Sequence, residues 1–171
     1  MDNQQPNNQY QQPQYQQPYY QQNPQYPGQN TVYVQQQRPV NPLPTNRGLI
    51  KFILLSFITL GIYGLVVMCK MSSEINVVAQ RYDGKKTMNY ALMVFIFAPL
   101  TLGIAVIVWY HKFSARLGNE LARRGLAYSF GAGTFWGWNV FGSLIVVGPF
   151  IYTHKMFKSM NLINGNYNAV G

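Results

Sequence analysis

Thr59-Leu60-Gly61-Ile62 and Thr101-Leu102-Gly103-Ile104 are the same tetrapeptide, each time inside a run without charge. Nine residues after either glycine stands a lysine that ends the run, Lys70 in one copy and Lys112 in the other. His111-Lys112-Phe113 returns as His154-Lys155-Met156, although Thr-Leu-Gly-Ile does not return with it. The lysines recur after 42 and 43 residues, which marks a repeated supersecondary unit rather than one irregular core.

The mean hydropathy of -0.08 averages two unlike parts. Residues 1–46 hold eight of the ten prolines and fifteen glutamines, with few aliphatic side chains. There Tyr-Gln-Gln-Pro occurs at Tyr10–Pro13 and Tyr15–Pro18 and loosens at Tyr20–Pro24. So little apolar surface cannot offset the entropy of ordering the chain, and a disordered low-complexity tail is expected. Alternating Tyr and Gln also gives weak adhesion to partners or to itself. The apolar residues lie in 47–163, with hydrophobic segments at about 50–69, 88–110 and 134–153 and a flexible end over 164–171.

Charge-free runs cover Phe52–Cys69, Thr87–Tyr110 and Gly125–Thr153. Two of them exceed the roughly 20 residues that a helix needs to cross hydrocarbon, and the other falls just short. None has the polar stripe of a buried soluble helix. An all-α membrane protein follows, with each unit an apolar helix, kinked or broken, plus an amphipathic extension. The extensions show stripes at Met71, Ile75, Val78 and Tyr82, at Phe113, Leu117, Leu121 and Gly125, and at Met156, Met160 and Ile163. They can lie on the membrane surface or pack back on the bundle.

Helix-weakening residues cluster within the runs: Gly61 and Gly64, then Pro99 and Gly103, then Gly148 and Pro149. Proline lacks a backbone donor, so Pro99 and Pro149 are expected to kink or break their helices, while Thr59 and Thr101 can serve the freed backbone groups. The edges Lys70, His111, Lys112, His154 and Lys155 read as interfacial anchors. The thirteen Lys and Arg against four acids sit at such edges, which suits lipid headgroups rather than nucleic acid. Three spans with the tail in the cytoplasm are the favoured topology. The alternative, in which each unit dips and returns at its break, puts every basic cluster on one side but reaches only about 14 Å per half-run.

The stretch Leu54–Gly64, Ser73-Glu74-Ile75-Asn76, Arg81–Met88, Gly118-Asn119-Glu120-Leu121 and Tyr128–Ala132 together resemble a bacterial membrane family known as domain of unknown function 4234. The resemblance spans roughly residues 47–163. It implies a multi-pass protein of the bacterial plasma membrane and no activity, substrate or catalytic residue.

The acids are Asp2, Glu74, Asp83 and Glu120, and the imidazoles are His111 and His154. Glu74 and Glu120 follow Lys70 and Arg116 by four residues, a spacing for helical ion pairs rather than acid–base catalysis. No hydrolase elbow, phosphate loop or metalloprotease motif occurs, and Cys69 stands alone. No enzyme, metal or cofactor is expected. The leading expectation is a membrane-anchored interaction or scaffold protein that uses its tail on cytoplasmic partners or further copies of itself. A small transporter or channel built on the Gly/Pro breaks is the alternative, followed by lipid-surface sensing through the basic extensions.

Overall fold

Each apolar run doubles back on itself. In the computed structural model, which describes residues 39–171, α1 covers Leu49–Ile58 and α2 covers Ile62–Asp83. The helix α3, Tyr90–Leu100, is followed by α4, Ile104–Arg123. The fifth helical segment, α5, starts at Ala132–Thr134, widens to a π-helix over Phe135–Val140 and tightens to a 3-10 helix over Phe141–Ile145. The last helix, α6, is Gly148–Val170. The described residues are thus all helical, in three consecutive pairs. The low-complexity tail expected over 1–46 lies, up to residue 38, outside the described residues.

Of the two outcomes expected for segments 50–69, 88–110 and 134–153, a kink or a break, each shows a break. The reason is local. Leu60 and Gly61 adopt φ of 51° and 91°, and Leu102 and Gly103 adopt 50° and 88°. Two successive left-handed residues reverse a helix rather than bend it, and glycine makes the second one inexpensive. At the third reversal Val146 takes φ 56°. There α5 and α6 approach so closely that a Cβ on Gly148 would collide with backbone atoms of Gly142 and Trp138.

Both runs that contain a proline are interrupted beside it, in two different ways. Pro149 occupies the first turn of α6, where its missing N–H costs no helical bond, so it starts that helix instead of kinking it. Pro99 follows the π-turn Met93–Phe97, where the ladder has already widened to accommodate the missing donor.

The long helices α2, α4 and α6 run parallel. The Tyr110 and Tyr152 rings lie 6.1 Å apart, and Arg124 Nη1 donates to Asn166 Oδ1 at 2.6 Å, so α4 and α6 keep one offset of 42 residues. Asn76 with Arg116 and Tyr82 with Arg123 fix nearly the same register between α2 and α4. All three reversals consequently lie at one end of the bundle. At the other end the stripes Met71-Ile75-Val78, Phe113-Leu117-Leu121 and Met156-Met160-Ile163 form the buried core. Each of these side chains contributes about 1.5–3 kcal/mol by leaving water. Tyr82 is half exposed instead, under the Arg123 guanidinium at 3.6 Å, and Gly125 lies beyond the end of α4.

A ring of straps closes the core. Asn76 of α2 bonds both backbone groups of Thr87, ahead of α3. Gly118 of α4 lets the Phe130–Gly131 backbone pass ahead of α5. Asn161 of α6 bonds both backbone groups of Arg47, ahead of α1. Each contact residue stands six after its edge lysine. Residues 164–170, expected to be flexible, are helical and packed: Asn164 and Tyr167 are buried, and Asn168 bonds both backbone groups of Leu43.

One helix, Ile62–Asp83, is long and apolar enough to cross a membrane by length and composition alone. Its second half lies in the core, where Glu74 is buried.

Candidate functional site

At the two Thr-Leu-Gly-Ile reversals the backbone N–H groups are bonded within the chain. Thr59 Oγ1 donates to Leu55 O at 2.7 Å and accepts the N–H of Tyr63 at 2.9 Å. Thr101 repeats both bonds, to Phe97 O at 2.7 Å and from Ala105 N at 2.9 Å. One hydroxyl thus serves the end of one helix and the beginning of the next. The N–H groups of Thr59, Leu60, Gly61 and Ile62 all find internal carbonyls, as do those of Thr101, Leu102, Gly103 and Ile104. A surface turn in water has no such requirement, because water satisfies loose donors; in hydrocarbon nothing else can.

Apolar side chains surround these turns. Leu60 and Leu102 are each 95 % exposed and Leu144 is 85 % exposed, amid the exposed Phe57, Ile58, Leu100, Ile145 and Val146. So many exposed large apolar side chains around these turns are unusual on a monomer in water. Holding leucine in the left-handed region also carries a steric cost. Gly61 and Gly103 sit at these tips, Thr59 and Thr101 cap them, Pro99 precedes the second, and Gly148 and Pro149 follow the third.

The edge residues mark where apolar gives way to polar. Lys70, Lys112 and His154 are exposed. His111 Nδ1 accepts from Trp136 Nε1 at 3.0 Å, which ties the second edge to α5. Lys155 and Lys158 lie 6.0 and 4.9 Å from the Tyr128 ring.

Beyond the edges the charges pair, two of the carboxylates with arginines distant in sequence and Glu120 with its own helix neighbours. Arg116 donates to Asp83 through Nε and Nη2, to Asn76 and Thr87 through Nη1, and to Lys85 O through Nη2. All five of its donors are engaged, so it is a clamp on the loop after α2. Burial pushes the Asp83 carboxyl up, but the Arg116 bonds, the Lys85 N–H and the nearby positive charges bring it below its ordinary value. Glu74 accepts from Arg47 and Asn164, and Glu120 from Arg123 and Arg124. The spacing-based pairs Lys70–Glu74 and Arg116–Glu120 do not form. Glu74 is held instead by Arg47 and Asn164, one on each oxygen, and Glu120 by the two-donor fork of Arg123, because all five Arg116 donors are spent on the loop after α2.

Two features escaped the sequence. The ladder Asn161, Asn164 and Asn168, which grips residues 43–47, was visible as a polar stripe at i, i+3 and i+7 but gave no sign of its partner. The second is an elongated groove of about 860 Å³ along α4. It runs from Phe97, Thr101 and Ile104 near the second tip to Lys85, Lys86 and Arg123 near the far end.

Residues 47–119 match the model of a family described as a domain of unknown function (DUF4234), the family that the sequence motifs resemble. The match takes in α1, α2, α3 and most of α4. No curated protein and no solved structure matches the chain.

Proposed function

We propose that the protein is a membrane-anchored interaction module that dips three helical tips into the bilayer from one side. On that same side it presents the polar bundle and its N-terminal residues to partners. The observation behind this reading is the combination of exposed leucines with turns whose N–H groups are bonded internally. From Ile62 to Lys70 the helix rises about 12 Å, less than half of a hydrocarbon core of about 30 Å. Tips of that reach end within the near leaflet, with Lys70, Lys112 and Lys155 at headgroup level. Every basic cluster then shares one face, which by the positive-inside rule is cytoplasmic. The family resemblance adds the bacterial plasma membrane as the location. Partners are cytoplasmic proteins reached through residues 1–46, or a second copy of the chain.

The test uses Cys69→Ser as background and single cysteines at Lys86, Ala122 and Lys158, all exposed, with two more at Leu60 and Leu102. In sealed, oriented vesicles an impermeant maleimide should label the first three from one side and the tips from neither. Three complete spans would put Ala122 opposite the other two, and that outcome sinks the dipping topology. Deleting residues 1–40 should change the partners recovered by crosslinking while membrane insertion persists. An unchanged partner set would remove the interaction role.

A further inference from the structure

The groove along α4 is amphipathic along its length. At the tip end it is lined by Phe97, Ile104 and Val108, all exposed, over the buried Met93 and Trp109. At the other end stand Lys85, Lys86 and Lys112, all exposed, with Arg116 and Arg123 behind them. Two carboxylates also line this end, but both are spent: Asp83 holds Arg116, and Glu120 holds Arg123. These two pairs cancel. What remains is the positive charge of three lysines, one of which, Lys85, stands beside the Asp83 carboxylate.

The loop that carries two of these lysines is fixed in advance. Arg116 grips it at Asp83, at the Lys85 carbonyl and at Thr87; Asn76 holds Thr87 again; and Trp109 Nε1 donates to Met88 O at 2.9 Å. The clamp leaves the Lys85 and Lys86 side chains exposed at a set position. A cationic site that is already ordered loses less entropy on binding an anion.

We propose that this groove holds one phospholipid with an anionic headgroup, its phosphate among Lys85, Lys86 and Lys112 and an acyl chain along Phe97, Ile104 and Val108. The proposal rests on the dipping topology above. From Ile104 to Lys112 α4 rises about 12 Å, so a leaflet lipid would enter without changing its depth. A cavity of about 860 Å³ lies within the size range of built small-molecule sites. Free phosphate would use the lysines and leave the apolar half of the groove empty, whereas a lipid uses both.

The experiment is native mass spectrometry of the full chain released from nanodiscs of phosphatidylcholine and phosphatidylglycerol in equal parts. One retained phosphatidylglycerol per chain is expected. Replacing Lys85, Lys86 and Lys112 by Gln should lower retention by about fivefold per lysine removed. The control Lys155→Gln/Lys158→Gln, outside the groove, should retain lipid like the parent. Ala105→Trp, which fills the apolar half, should also abolish retention. Retention equal to the parent in the triple variant, an equal loss in the control, or displacement of the lipid by inorganic phosphate would each overturn the proposal. Cosedimentation with phosphatidylcholine vesicles separates the two readings. A groove without lipid leaves it intact, whereas failure of the anchor abolishes it and the groove proposal with it.

Discussion

Gly118 and Gly165 are both interior helix glycines, and the structure assigns opposite signs to their replacement by alanine. In an exposed helix Gly→Ala gains about 1 kcal/mol, because glycine loses more backbone freedom on folding. Gly165 has this freedom to gain: a Cβ there meets only Thr45 Cγ2, at 3.9 Å, an ordinary contact. At Gly118 the same atom would collide with the Phe130 carbonyl oxygen and lie 3.0 Å from Gly131 Cα. A backbone carbonyl cannot rotate aside like the end of a side chain, so the strap before α5 must shift as a whole. Overpacking of this kind costs about 1–3 kcal/mol, and the upper part of that range applies against a backbone obstacle. After the propensity gain, Gly118→Ala should be less stable by about 2 kcal/mol. Thermal unfolding of the chain in detergent, followed by circular dichroism at 222 nm, reads the difference. At about 2–4 °C per kcal/mol for a chain of this size, Gly118→Ala should melt roughly 4–8 °C lower and Gly165→Ala roughly 2–4 °C higher. A Gly118→Ala protein that melts at or above the parent would falsify the account of α4 packing against the strap.

Three other expectations rest on the polar bundle. Arg116→Met keeps the side chain's bulk but removes the ion-pair partner of Asp83 and the donor to Lys85 O, while Asn76 Oδ1 keeps only the Thr87 N–H; a loss of about 2–3 kcal/mol is expected in chemical unfolding. The double change Asn161→Ala/Asn168→Ala removes four bonds to the strap, so limited proteolysis should cut within residues 39–47 at a much higher rate while the helical signal stays. The depressed Asp83 carboxyl makes its contribution to stability fully present above its ordinary value of 3.8 and lost as the pH falls through the lower folded value. Asp83→Asn should therefore flatten that acid limb of the unfolding curve; an unchanged limb would mean that Asp83 gains nothing from Arg116.

The likeness to the DUF4234 family over residues 47–119 and the mainly helical character were legible because both depend on local signals. Family motifs such as Leu54–Gly64 are read directly, and apolar runs with a 3.6-residue stripe need no partner to be recognised. The candidate site was legible only in pieces. Thr59, Gly61, Thr101 and Gly103 stood out as a break, and the edge lysines stood out as a border between apolar and polar sequence. The groove along α4 did not, because its walls come from residues between Tyr82 and Arg123 that no periodicity relates. Glu74 shows the same limit: its spacing suggested Lys70, but the chain brings Arg47 to it from 27 residues away.

Sequence by itself determined where each apolar run weakens, since glycine after leucine and a proline in the run are properties of single residues. It also determined where each apolar run ends, since a basic edge at Lys70, His111-Lys112 and His154-Lys155 closes it. Whether a weak point becomes a kink or a reversal was decided by tertiary structure alone. A helix can bend at glycine and continue, and it turns back only when the returning helix finds a surface to pack on. Here α2, α4 and α6 find one another, and their parallel alignment in one register brings the three turns to the same end. That convergence of three leucine tips is a property of the bundle, and no stretch of the chain contains it.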